Sequence, residues 1–487
     1  MQRTLPECLP TPRLIIGAEE LTSGSGGSHE HRNPATGEVQ AVVPMAGAAE
    51  VDAAVTAARA AFPGWRDLDL NRRRDILLEI ARRIVADQER LAAIATHEMG
   101  IPNLLAGPTA QMAADWFTYY AGWIGKAGGD VIPVAAGDAL DYVRYEPVGV
   151  IGAIIPWNGP LVAIGMKIAP ALAAGNCVVL KPPEHASFTA LRFAELAAEA
   201  GLPPGVFNVI PGDGQAGAPL CGHPGIDKIT FTGSAESARK VLTTAAQAIT
   251  PVILELGGKS ANIVFPDGDL DAAVTMAVGA GLVTLSGQGC MLPTRLLVHN
   301  DIYDEVVARV TGAAQQLTVG DPWEPTTVMG PLATAAQLER VSTVVSKAVA
   351  DGSGKLLGGG ERPAGLSGGY YYSPTVFGDV DPASHLAQKE IFGPVLSILR
   401  FNSEDEAVQL ANNTEYGLAA YVHTRDLRRA HVLSAALDAG GVAVNGFPIV
   451  PSAAPFGGIK QSGFGREGGI WGLREFQRTK NVYIGLS

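Results

Sequence analysis

Cys290 is one of four cysteines in the chain and lies between glycines in the run Leu285-Ser-Gly-Gln-Gly-Cys-Met-Leu-Pro-Thr-Arg295. Gly287 and Gly289 would let a ligand approach the backbone closely, and the cysteine lies where a predicted helix gives way to an irregular segment. This position suits a nucleophilic thiol, which also needs a way to lose its proton. The alternative is an inert thiol, because free cysteine is among the residues most often buried in a protein core.

Glu255 is the candidate for a general base. It is the one carboxylate in the apolar run Pro251-Val-Ile-Leu-Glu-Leu-Gly-Gly-Lys259, which predicts a strand that ends in two glycines. Burial would raise the pKa of this carboxyl group and make it a better base near neutral pH. The alternative is a carboxylate at the end of a strand that forms an ion pair with Lys259.

Two regions of alternating strands and helices are predicted to position these groups. From residue 147 onward, short apolar runs alternate with segments of helix length, which predicts βαβ units and a parallel sheet covered on both faces. Ligands of such a sheet bind beyond the carboxyl ends of its strands, where Asn158, Lys181 and Glu184 lie. A second α/β region begins near residue 259, with a helix predicted over 270–288 and strands over 295–298, 395–401 and 441–445.

The segment Phe231-Thr-Gly-Ser-Ala-Glu-Ser-Ala238 is predicted to join a strand to a helix. The free backbone N–H groups at the start of such a helix can bind a phosphate group. The segment lacks the three glycines of the Rossmann fingerprint, so a turn without a ligand is the alternative.

Length and charge limit the class of protein. The 487 residues suggest two or three domains, and the net charge of −12 argues against a nucleic-acid partner. No apolar run of about eighteen residues predicts a membrane span. The N-terminal sequence lacks the apolar core and cleavage site of a secretory signal, so we expect a cytoplasmic, reducing location without disulfide bonds.

Metal binding is not predicted. The cysteines at positions 8, 177, 221 and 290 are far apart and form no Cys-x-x-Cys pair. His29 and His31 are at most a weak pair of metal ligands, and they lie in the Gly/Ser-rich stretch Ser23–His31. That composition predicts a solvated loop.

Seven short motifs of this chain resemble those of the aldehyde dehydrogenase superfamily, in the same order along the sequence. They are Pro156-Trp-Asn-Gly-Pro160, Lys181-Pro-Pro-Glu184, Phe231-Thr-Gly-Ser234, Glu255-Leu-Gly-Gly-Lys259, Gly287-Gln-Gly-Cys290, Glu390-Ile-Phe-Gly-Pro394 and Pro455-Phe-Gly-Gly458. The resemblance runs from Asn33-Pro-Ala-Thr-Gly37 almost to the C-terminus. Any one motif could arise by chance, but seven in order favour a shared fold and chemistry.

The resemblance implies an α/β fold in three parts and a homodimer or homotetramer. A Rossmann-like NAD-binding domain would comprise residues 1–124 and 148–258, and an α/β catalytic domain would comprise residues 259–461. A small β oligomerisation element would be formed by residues 125–147 and 476–487. In enzymes of this superfamily, such an element completes a sheet across a subunit interface.

The resemblance also implies catalytic roles, for an aldehyde oxidised to a carboxylic acid. Cys290 matches the nucleophile, which forms a thiohemiacetal and, after hydride transfer to the nicotinamide, a thioester. Asn158 and the backbone N–H of Cys290 would form the oxyanion hole. Glu255 matches the base that activates the hydrolytic water, and Lys167 and Glu467 match positions linked to proton movement.

The cofactor implied by the resemblance is NAD. Lys181 and Glu184 match residues that hold the adenosine ribose, and a carboxylate at 184 would repel the 2′-phosphate of NADP. Glu390 and Phe392 match residues that position the nicotinamide ribose and ring. The full set of implied cofactor-binding residues is Ile154, Pro156, Trp157, Lys181, Glu184, Phe231, Thr232, Gly233, Ser234, Leu256, Gly257, Glu390 and Phe392.

The chain departs from the superfamily pattern beside the oxyanion-hole asparagine, where Gly159 replaces a frequent Phe. A missing ring would widen the substrate tunnel, unless neighbouring loops fill the space. The positions that match the tunnel lining are uncharged: Met112, Trp116, Gly159, Val162, Met166, Met291, Ile449 and Val450. An apolar tunnel favours a hydrophobic aldehyde, which would be aromatic, terpenoid or a medium-to-long aliphatic chain. Ala238 and Ile459 replace a frequent glycine and tyrosine, which are milder changes.

Two other functions remain open from the sequence. A coenzyme A-acylating dehydrogenase would pass the thioester to coenzyme A, but that branch commonly lacks a base at the position of Glu255. A catalytically silent NAD-binding structural protein would require a defect in the geometry of Cys290, Glu255 and Asn158, all of which are present.

Overall fold

The computed structural model describes residues 6–135, 137–447 and 450–486. The strands of these residues are β1 (Leu14–Ile16), β2 (Glu19–Leu21), β3 (Ser28–Arg32), β4 (Val39–Pro44), β5 (Val131–Ile132), β6 (Ala139–Pro147), β7 (Val150–Ile154), β8 (Cys177–Lys181), β9 (Phe207–Val209), β10 (Lys228–Thr232), β11 (Val252–Glu255), β12 (Ala261–Val264), β13 (Arg295–His299), β14 (Lys355–Gly358), β15 (Thr375–Gly378), β16 (Val395–Phe401), β17 (Ala419–His423), β18 (Gly441–Val444), β19 (Gly463–Phe464) and β20 (Gln477–Gly485). The α-helices are α1 (Ala48–Arg66), α2 (Leu70–Ala86), α3 (Gln88–Met99), α4 (Asn103–Ala106), α5 (Pro108–Ala121), α6 (Pro160–Ala174), α7 (Phe188–Glu199), α8 (Gly214–Gly222), α9 (Ala235–Ala248), α10 (Leu270–Val278), α11 (Tyr303–Gln315), α12 (Ala335–Ala350), α13 (His385–Gln388), α14 (Glu404–Asn412), α15 (Leu427–Ala436) and α16 (Gly469–Glu475).

The first sheet has eight strands in the order β19-β11-β10-β7-β8-β9-β1-β2. Strands β11, β10, β7, β8 and β9 are parallel, and β19, β1 and β2 are antiparallel to their neighbours. Every residue of β7 and β8 is buried, and so is nearly all of α6. The apolar runs after residue 147 therefore form the predicted parallel sheet with helices against it, because both faces of its central strands are covered.

The second sheet has seven strands in the order β14-β15-β16-β13-β12-β17-β18. All neighbouring pairs are parallel except β14 with β15. The predicted strands at 295–298, 395–401 and 441–445 are confirmed as β13, β16 and β18, within one residue at each end.

The apolar cores divide between the two sheets near the Glu255 motif. One core contains buried side chains from Leu9 to Leu256, together with Leu473 and Phe476. The cores around the second sheet draw on side chains from Ala261 to Leu437. The segment after residue 462 thus returns to the first sheet, where Phe464 of β19 pairs with Leu254 of β11.

A third sheet lies apart from these cores, with the antiparallel order β20-β6-β5. Nine residues of β20 pair with nine of β6. Apolar side chains of this sheet remain exposed, including Val131, Leu140, Tyr483 and Ile484.

The helix predicted over 270–288 is only partly formed. The α-helix α10 ends at Val278, a π-helical segment follows over Gly279–Val283, and a 3₁₀ segment covers Thr284–Gly287. Single-turn π segments often occur near functional sites, because they redirect the chain that follows. By length and composition the run Leu270–Gly287 could cross a membrane, but 56% of it is buried inside the protein, as in a core helix.

The loop predicted for Ser23–His31 is wrong at its C-terminal end. Residues Ser28–Arg32 form β3, which pairs with β4. His31 is buried, with Nε2 3.1 Å from the carbonyl oxygen of His185 and Nδ1 3.0 Å from Nε2 of Gln40. Burial, followed by the charge of His185, lowers the pKa of His31 to about 3, so the ring is neutral. No group of three His, Cys, Asp or Glu residues that could hold a metal occurs in the described ranges.

Candidate active site

Cys290 follows a turn of left-handed backbone. Leu285, Ser286 and Gly287 have φ angles of 53°, 52° and 73°. A Cβ atom on Gly287 would collide with the backbone of Gly393, so only glycine fits there. The Ser286 hydroxyl donates a hydrogen bond to the carbonyl oxygen of Gly330 at 2.9 Å. The two non-glycine residues thus hold a strained conformation that surrounding contacts maintain.

Gln288 holds this turn together, and sequence reasoning gave it no role. Its Nε2 donates to the Leu285 carbonyl at 2.9 Å, and its Oε1 accepts from the backbone N–H of Ala333 at 3.1 Å. Its own carbonyl accepts a hydrogen bond from Nδ2 of Asn158 at 2.8 Å. Asn158 is therefore brought to the chain two residues before Cys290. The only sequence clue was the position of Gln288 inside the Gly287–Cys290 motif.

The Cys290 thiol is protonated at neutral pH in this environment. Burial, followed by the negative charges of Glu390 and Glu255, raises its pKa to about 12. The backbone N–H groups of Cys290 and Met291 act in the opposite direction but are outweighed. The side chain is only partly exposed. A base or a positive charge beside the thiol is therefore needed to produce a reactive thiolate.

Glu255 ends β11 as a buried carboxyl group, 3% exposed. Neither oxygen has a hydrogen-bond partner among the described residues, and the Lys259 ammonium has none either. The ion pair between Glu255 and Lys259, the alternative considered from the sequence, does not form. Burial, and then the charge of Glu467, raises the pKa of Glu255 well above its ordinary value. This carboxyl group can therefore take up a proton near neutral pH.

Lys167 and Glu467 form a buried ion pair, with side chains 1% and 4% exposed. Nζ of Lys167 also donates to the Thr230 hydroxyl at 3.0 Å. Both charges act on Glu255, since Glu467 raises its pKa and Lys167 lowers it. The three ionisable groups are thus electrostatically connected inside the fold, although they come from α6, β11 and the segment after β19.

Strand pairing brings the predicted cofactor residues to one edge of the first sheet. In the register of the parallel strands, Ile154 pairs with both Lys181 and Phe231, and Thr232 pairs with Glu255. These residues end their strands or lie one position from the end. Pro156 and Trp157 lie two and three positions after the end of β7, and Leu256 and Gly257 directly follow β11.

Glu184 lies beyond β8 beside a histidine that sequence reasoning did not single out. Nδ1 of His185 is 3.7 Å from Oε1 of Glu184. Burial alone would raise the pKa of Glu184, but the nearby imidazole of His185 lowers it to about 2. The neighbouring Lys181 ammonium is buried and donates to the Pro182 carbonyl at 3.3 Å. Glu184 is thus an anion over the physiological pH range.

The turn after β10 has the geometry of a helix start. The backbone N–H of Gly233 donates to the Glu255 carbonyl at 3.1 Å. The Ser234 hydroxyl caps α9 by accepting from the N–H of Ser237 at 3.2 Å. A Cβ at Gly233 would come within 2.6 Å of the Phe231 ring, which explains the glycine.

Glu390 and Phe392 reach the same region from the second sheet. Oε1 of Glu390 accepts from the N–H of Gly258 at 3.0 Å, and burial raises the pKa of this carboxyl group to about 7. Phe392 has a φ of 62°, and its ring lies 5.3 Å from that of Trp157 in a T-shaped arrangement. Gly258 has no room for a Cβ atom, which would collide with the Cys290 carbonyl. The Glu255, Glu390 and Cys290 segments therefore meet at Gly258.

Most of the predicted tunnel residues lie on α5, on or just before α6, or beside Cys290, whereas Val450 follows β18. The helices α5 and α6 approach closely at Gly165, where a Cβ would be 3.2 Å from Trp116. Trp116 and Met166 are buried, while Met112, Val162, Met291 and Val450 are partly exposed. A Cβ on Gly159 would meet no atom within 4 Å. Ile449 lies outside the described residues.

A small pocket, partly open to solvent, lies beside Asn158, and none of the described tunnel residues lines it. Trp157, Asn158, Leu285 and Gln288 contribute to its lining, so it lies against the turn that presents Cys290. The space at Gly159 and this pocket show that the backbone around Asn158 is not closely covered.

Known proteins resemble this chain over nearly its whole length. The aldehyde dehydrogenase family model matches residues 21–482. Retinal dehydrogenase 2 of Homo sapiens is 42% identical over 489 residues, covering 98% of the chain and 93% of that protein. The NAD+ complex of an aldehyde dehydrogenase from Bacillus cereus is 40% identical, with a TM-score of 0.95 and coverage of 98% of this chain and 97% of that chain. An NADP-dependent enzyme from E. coli is 37% identical, with a TM-score of 0.95 and coverage of 99% and 100%. The chain therefore belongs to the aldehyde dehydrogenase family and is an oxidoreductase that acts on the aldehyde group.

Proposed function

We propose that this enzyme oxidises a hydrophobic aldehyde to the carboxylic acid with NAD, through a covalent intermediate on Cys290. The observation that carries the proposal is that the segments bearing Glu255, Glu390 and Cys290 meet at Gly258. Glu255 is buried without a partner in the described chain, and the strand end that bears it packs through Gly258 against the backbone of Cys290. A nucleophile and an unpaired carboxyl group at one point support acyl chemistry.

The steps follow from these groups. The Cys290 thiol loses its proton to solvent, and the thiolate sulfur forms a bond to the aldehyde carbon. The amide of Asn158 and the backbone N–H of Cys290 donate to the resulting oxyanion. A nicotinamide held beside Glu390 and Phe392 would accept the hydride of this adduct, and a thioester on Cys290 would remain. Glu255 then accepts a proton from water, whose oxygen replaces the sulfur and releases the acid.

The buried pair of Lys167 and Glu467 is proposed to serve proton movement. The charges of both groups act on Glu255, and neither side chain reaches solvent. The two charges would therefore affect how readily Glu255 releases the proton that it holds after hydrolysis.

NAD is proposed as the preferred cofactor because Glu184 is a partly buried anion. A carboxylate at this place can accept hydrogen bonds from the ribose hydroxyls but repels a 2′-phosphate. The relatives include both an NAD+ complex and an NADP-dependent enzyme, so the preference rests on this chain's own residue.

Replacement of Glu184 by serine is expected to raise kcat/KM for NADP relative to NAD by about tenfold or more, because it removes the repelling charge. Initial rates of reduced cofactor formation with each dinucleotide measure this ratio. Glu199→Gln at the end of α7 serves as a control and should leave the ratio unchanged. An unchanged ratio in the Glu184 variant would show that discrimination lies elsewhere.

A hydrophobic substrate is proposed from the apolar tunnel positions and the space at Gly159. Trp116 and Met166 present apolar side chains, and one relative is named for retinal, an aldehyde. The first experiment is therefore NADH formation with acetaldehyde, octanal, citral, benzaldehyde and succinic semialdehyde. Highest kcat/KM with acetaldehyde or with the charged semialdehyde would contradict the substrate class while leaving the oxidation chemistry intact.

Gly159→Phe is expected to fill the open space beside Asn158. The backbone there is extended, with φ at −166°, so the larger residue fits without strain. We expect kcat/KM for citral and benzaldehyde to fall by about tenfold or more, and that for acetaldehyde to change little. Gly107→Phe is the matched control, since a Cβ there also meets open space. Equal losses for small and large aldehydes would argue against a steric role.

The domain division and the assembly are also proposals. Residues 1–124 and 148–258 would form the NAD-binding domain, and residues 259–461 the catalytic domain. Residues 125–147 and 476–487, which contain the β20-β6-β5 sheet, would form an oligomerisation element. The division of the apolar cores between Leu256 and Ala261 supports the first boundary. Exposed Tyr483 and Ile484 on β20 support a dimer or tetramer, whose mass light scattering would measure.

A further inference from the structure

Tyr421 lies in the middle of β17, paired with Asn262 of β12 on one side and with Ala443 of β18 on the other. Its side chain is 1% exposed, and its hydroxyl donates a hydrogen bond to the carbonyl oxygen of Met291 at 2.8 Å. Met291 directly follows Cys290. A side chain of the second sheet therefore holds the backbone one residue beyond the proposed nucleophile.

Apolar contacts fix the orientation of the Tyr421 ring. It stacks on the ring of Phe447, with the centroids 5.5 Å apart and 24° between the ring planes. Met276 of α10 and Ala280 of the π-helical segment belong to the same apolar cluster. Aromatic stacking and close packing leave a buried ring few other orientations. The hydroxyl is thus presented to Met291 from a fixed position on the sheet.

The phenol of Tyr421 keeps its proton and can therefore act as a hydrogen-bond donor. Burial, and then the charge of Cys290, raises the pKa of Tyr421 above its ordinary value. A thiolate at Cys290 makes deprotonation of the phenol harder still, because two like charges would then lie near each other. The hydrogen bond to Met291 consequently persists when the thiolate forms.

The backbone around Met291 acts directly on the sulfur. The N–H groups of Cys290 and Met291 lower the pKa of the thiol, although burial and nearby carboxylates outweigh them. Both residues lie in a turn rather than in a helix or strand, so contacts outside the turn must hold its peptide groups. The Cys290 carbonyl packs against Gly258, and the Met291 carbonyl is held by Tyr421.

We propose that Tyr421 is a positioning residue for the nucleophile, because its hydroxyl fixes the Met291 carbonyl and so keeps the backbone N–H groups of Cys290 and Met291 directed at the sulfur. Tyr421 acts through the backbone of Met291 and not on the reacting atoms themselves. The inference deepens the proposed function and rests on it, since it takes Cys290 as the nucleophile.

Tyr421→Phe keeps the ring and removes the hydroxyl. Its Cys290 should react with iodoacetamide about threefold more slowly or more near neutral pH, because the thiolate loses stabilisation. Peptide mass spectrometry follows this reaction at Cys290 and also at the partly exposed thiol of Cys8, whose rate should not change. We expect kcat/KM for octanal to fall by about tenfold, while the Kd for NAD stays close to that of the wild type.

Tyr303→Phe is the matched control. Tyr303 is also buried, at 2% exposed, but its hydroxyl accepts a hydrogen bond from the N–H of Asp379 at 2.6 Å, and its ring contacts Arg400. The variant should lose thermal stability and keep the wild-type rates of alkylation at Cys290 and of octanal oxidation. Equal losses in both tyrosine variants would show a general effect on stability and would overturn the proposal.

Comparison with Cys290→Ala separates this inference from the proposed function. Slower alkylation in Tyr421→Phe together with full oxidation by Cys290→Ala would refute covalent catalysis but support the positioning of the thiol by Tyr421. Loss of oxidation in Cys290→Ala together with wild-type alkylation and kcat/KM in Tyr421→Phe would leave Cys290 as the nucleophile and overturn the role of Tyr421.

Discussion

Cys290→Ala is expected to abolish aldehyde oxidation, with NADH formation falling by about a thousandfold or more. Without the sulfur, no thiohemiacetal forms, and the aldehyde hydrogen is not placed for transfer as hydride. The backbone turn over Leu285–Gly287 does not depend on the thiol, so NAD affinity measured by calorimetry should remain close to that of the wild type. Initial rates with octanal, followed by NADH absorbance, measure the loss.

The matched control is Cys177→Ala. Cys177 is a fully buried free thiol at the amino-terminal end of β8, the opposite end from Lys181. Its loss should lower thermal stability and leave kcat nearly unchanged, because it removes only packing. Substantial NADH formation by Cys290→Ala, or an equal loss in Cys177→Ala, would refute covalent catalysis at Cys290.

Glu255→Gln is expected to separate hydride transfer from hydrolysis. The amide has nearly the shape of the carboxyl group but cannot accept a proton from water. A first burst of NADH, close to one per active site, should therefore persist, while steady-state turnover falls by about a hundredfold to ten-thousandfold. Rapid mixing measures the burst, and intact-protein mass spectrometry should detect the acyl group on Cys290.

Glu475→Gln is the control for charge alone. Glu475 also acts electrostatically on Glu255, but it is held by Lys228 at 2.6 Å. Its variant should not accumulate an acyl-enzyme. If Glu255→Gln turns over like the wild type, another group activates water.

Wild-type enzyme with added coenzyme A should still release the free acid, and a coenzyme A thioester as product would favour the acylating alternative.

Much of the first sheet could be predicted from the sequence because its strands are short apolar runs bounded by turn residues. β7, β8 and β10 all lie among the short apolar runs predicted to form strands after residue 147. Parallel pairing then brings the strand ends together, so the shared edge of Lys181, Phe231 and Glu255 follows from fold class alone. Local composition is sufficient where both faces of a strand are buried.

The turn that presents Cys290 could not be predicted in this way. The sequence before it is apolar at helical spacing, yet the helix stops at Val278. Its left-handed residues are held by contacts with Gly330 and Gly393, which are distant in sequence. Such strain is set by tertiary packing, and no local pattern encodes it.

Burial of polar groups was equally hidden from the sequence. His31 lies in a stretch of glycine and serine, but pairing with β4 and a contact with the His185 carbonyl enclose it. Glu255 and Lys259 are four residues apart and oppositely charged, yet each is buried separately. Proximity in sequence predicts an ion pair only when both side chains can reach a common space.

The return of the C-terminal segment to the first sheet has a consequence for how the chain acquires its structure. Leu473 and Phe476 complete a core whose other members end at Leu256, and Glu467 pairs with Lys167 across 300 positions of sequence. During synthesis, the first core is therefore complete only after Leu473 and Phe476 have left the ribosome. The second sheet, whose strands lie between residues 261 and 444, can be paired before that moment. The ion pair between Lys167 and Glu467, whose charges act on Glu255, is thus among the last contacts to form. The nascent chain therefore contains Cys290 well before this ion pair can form.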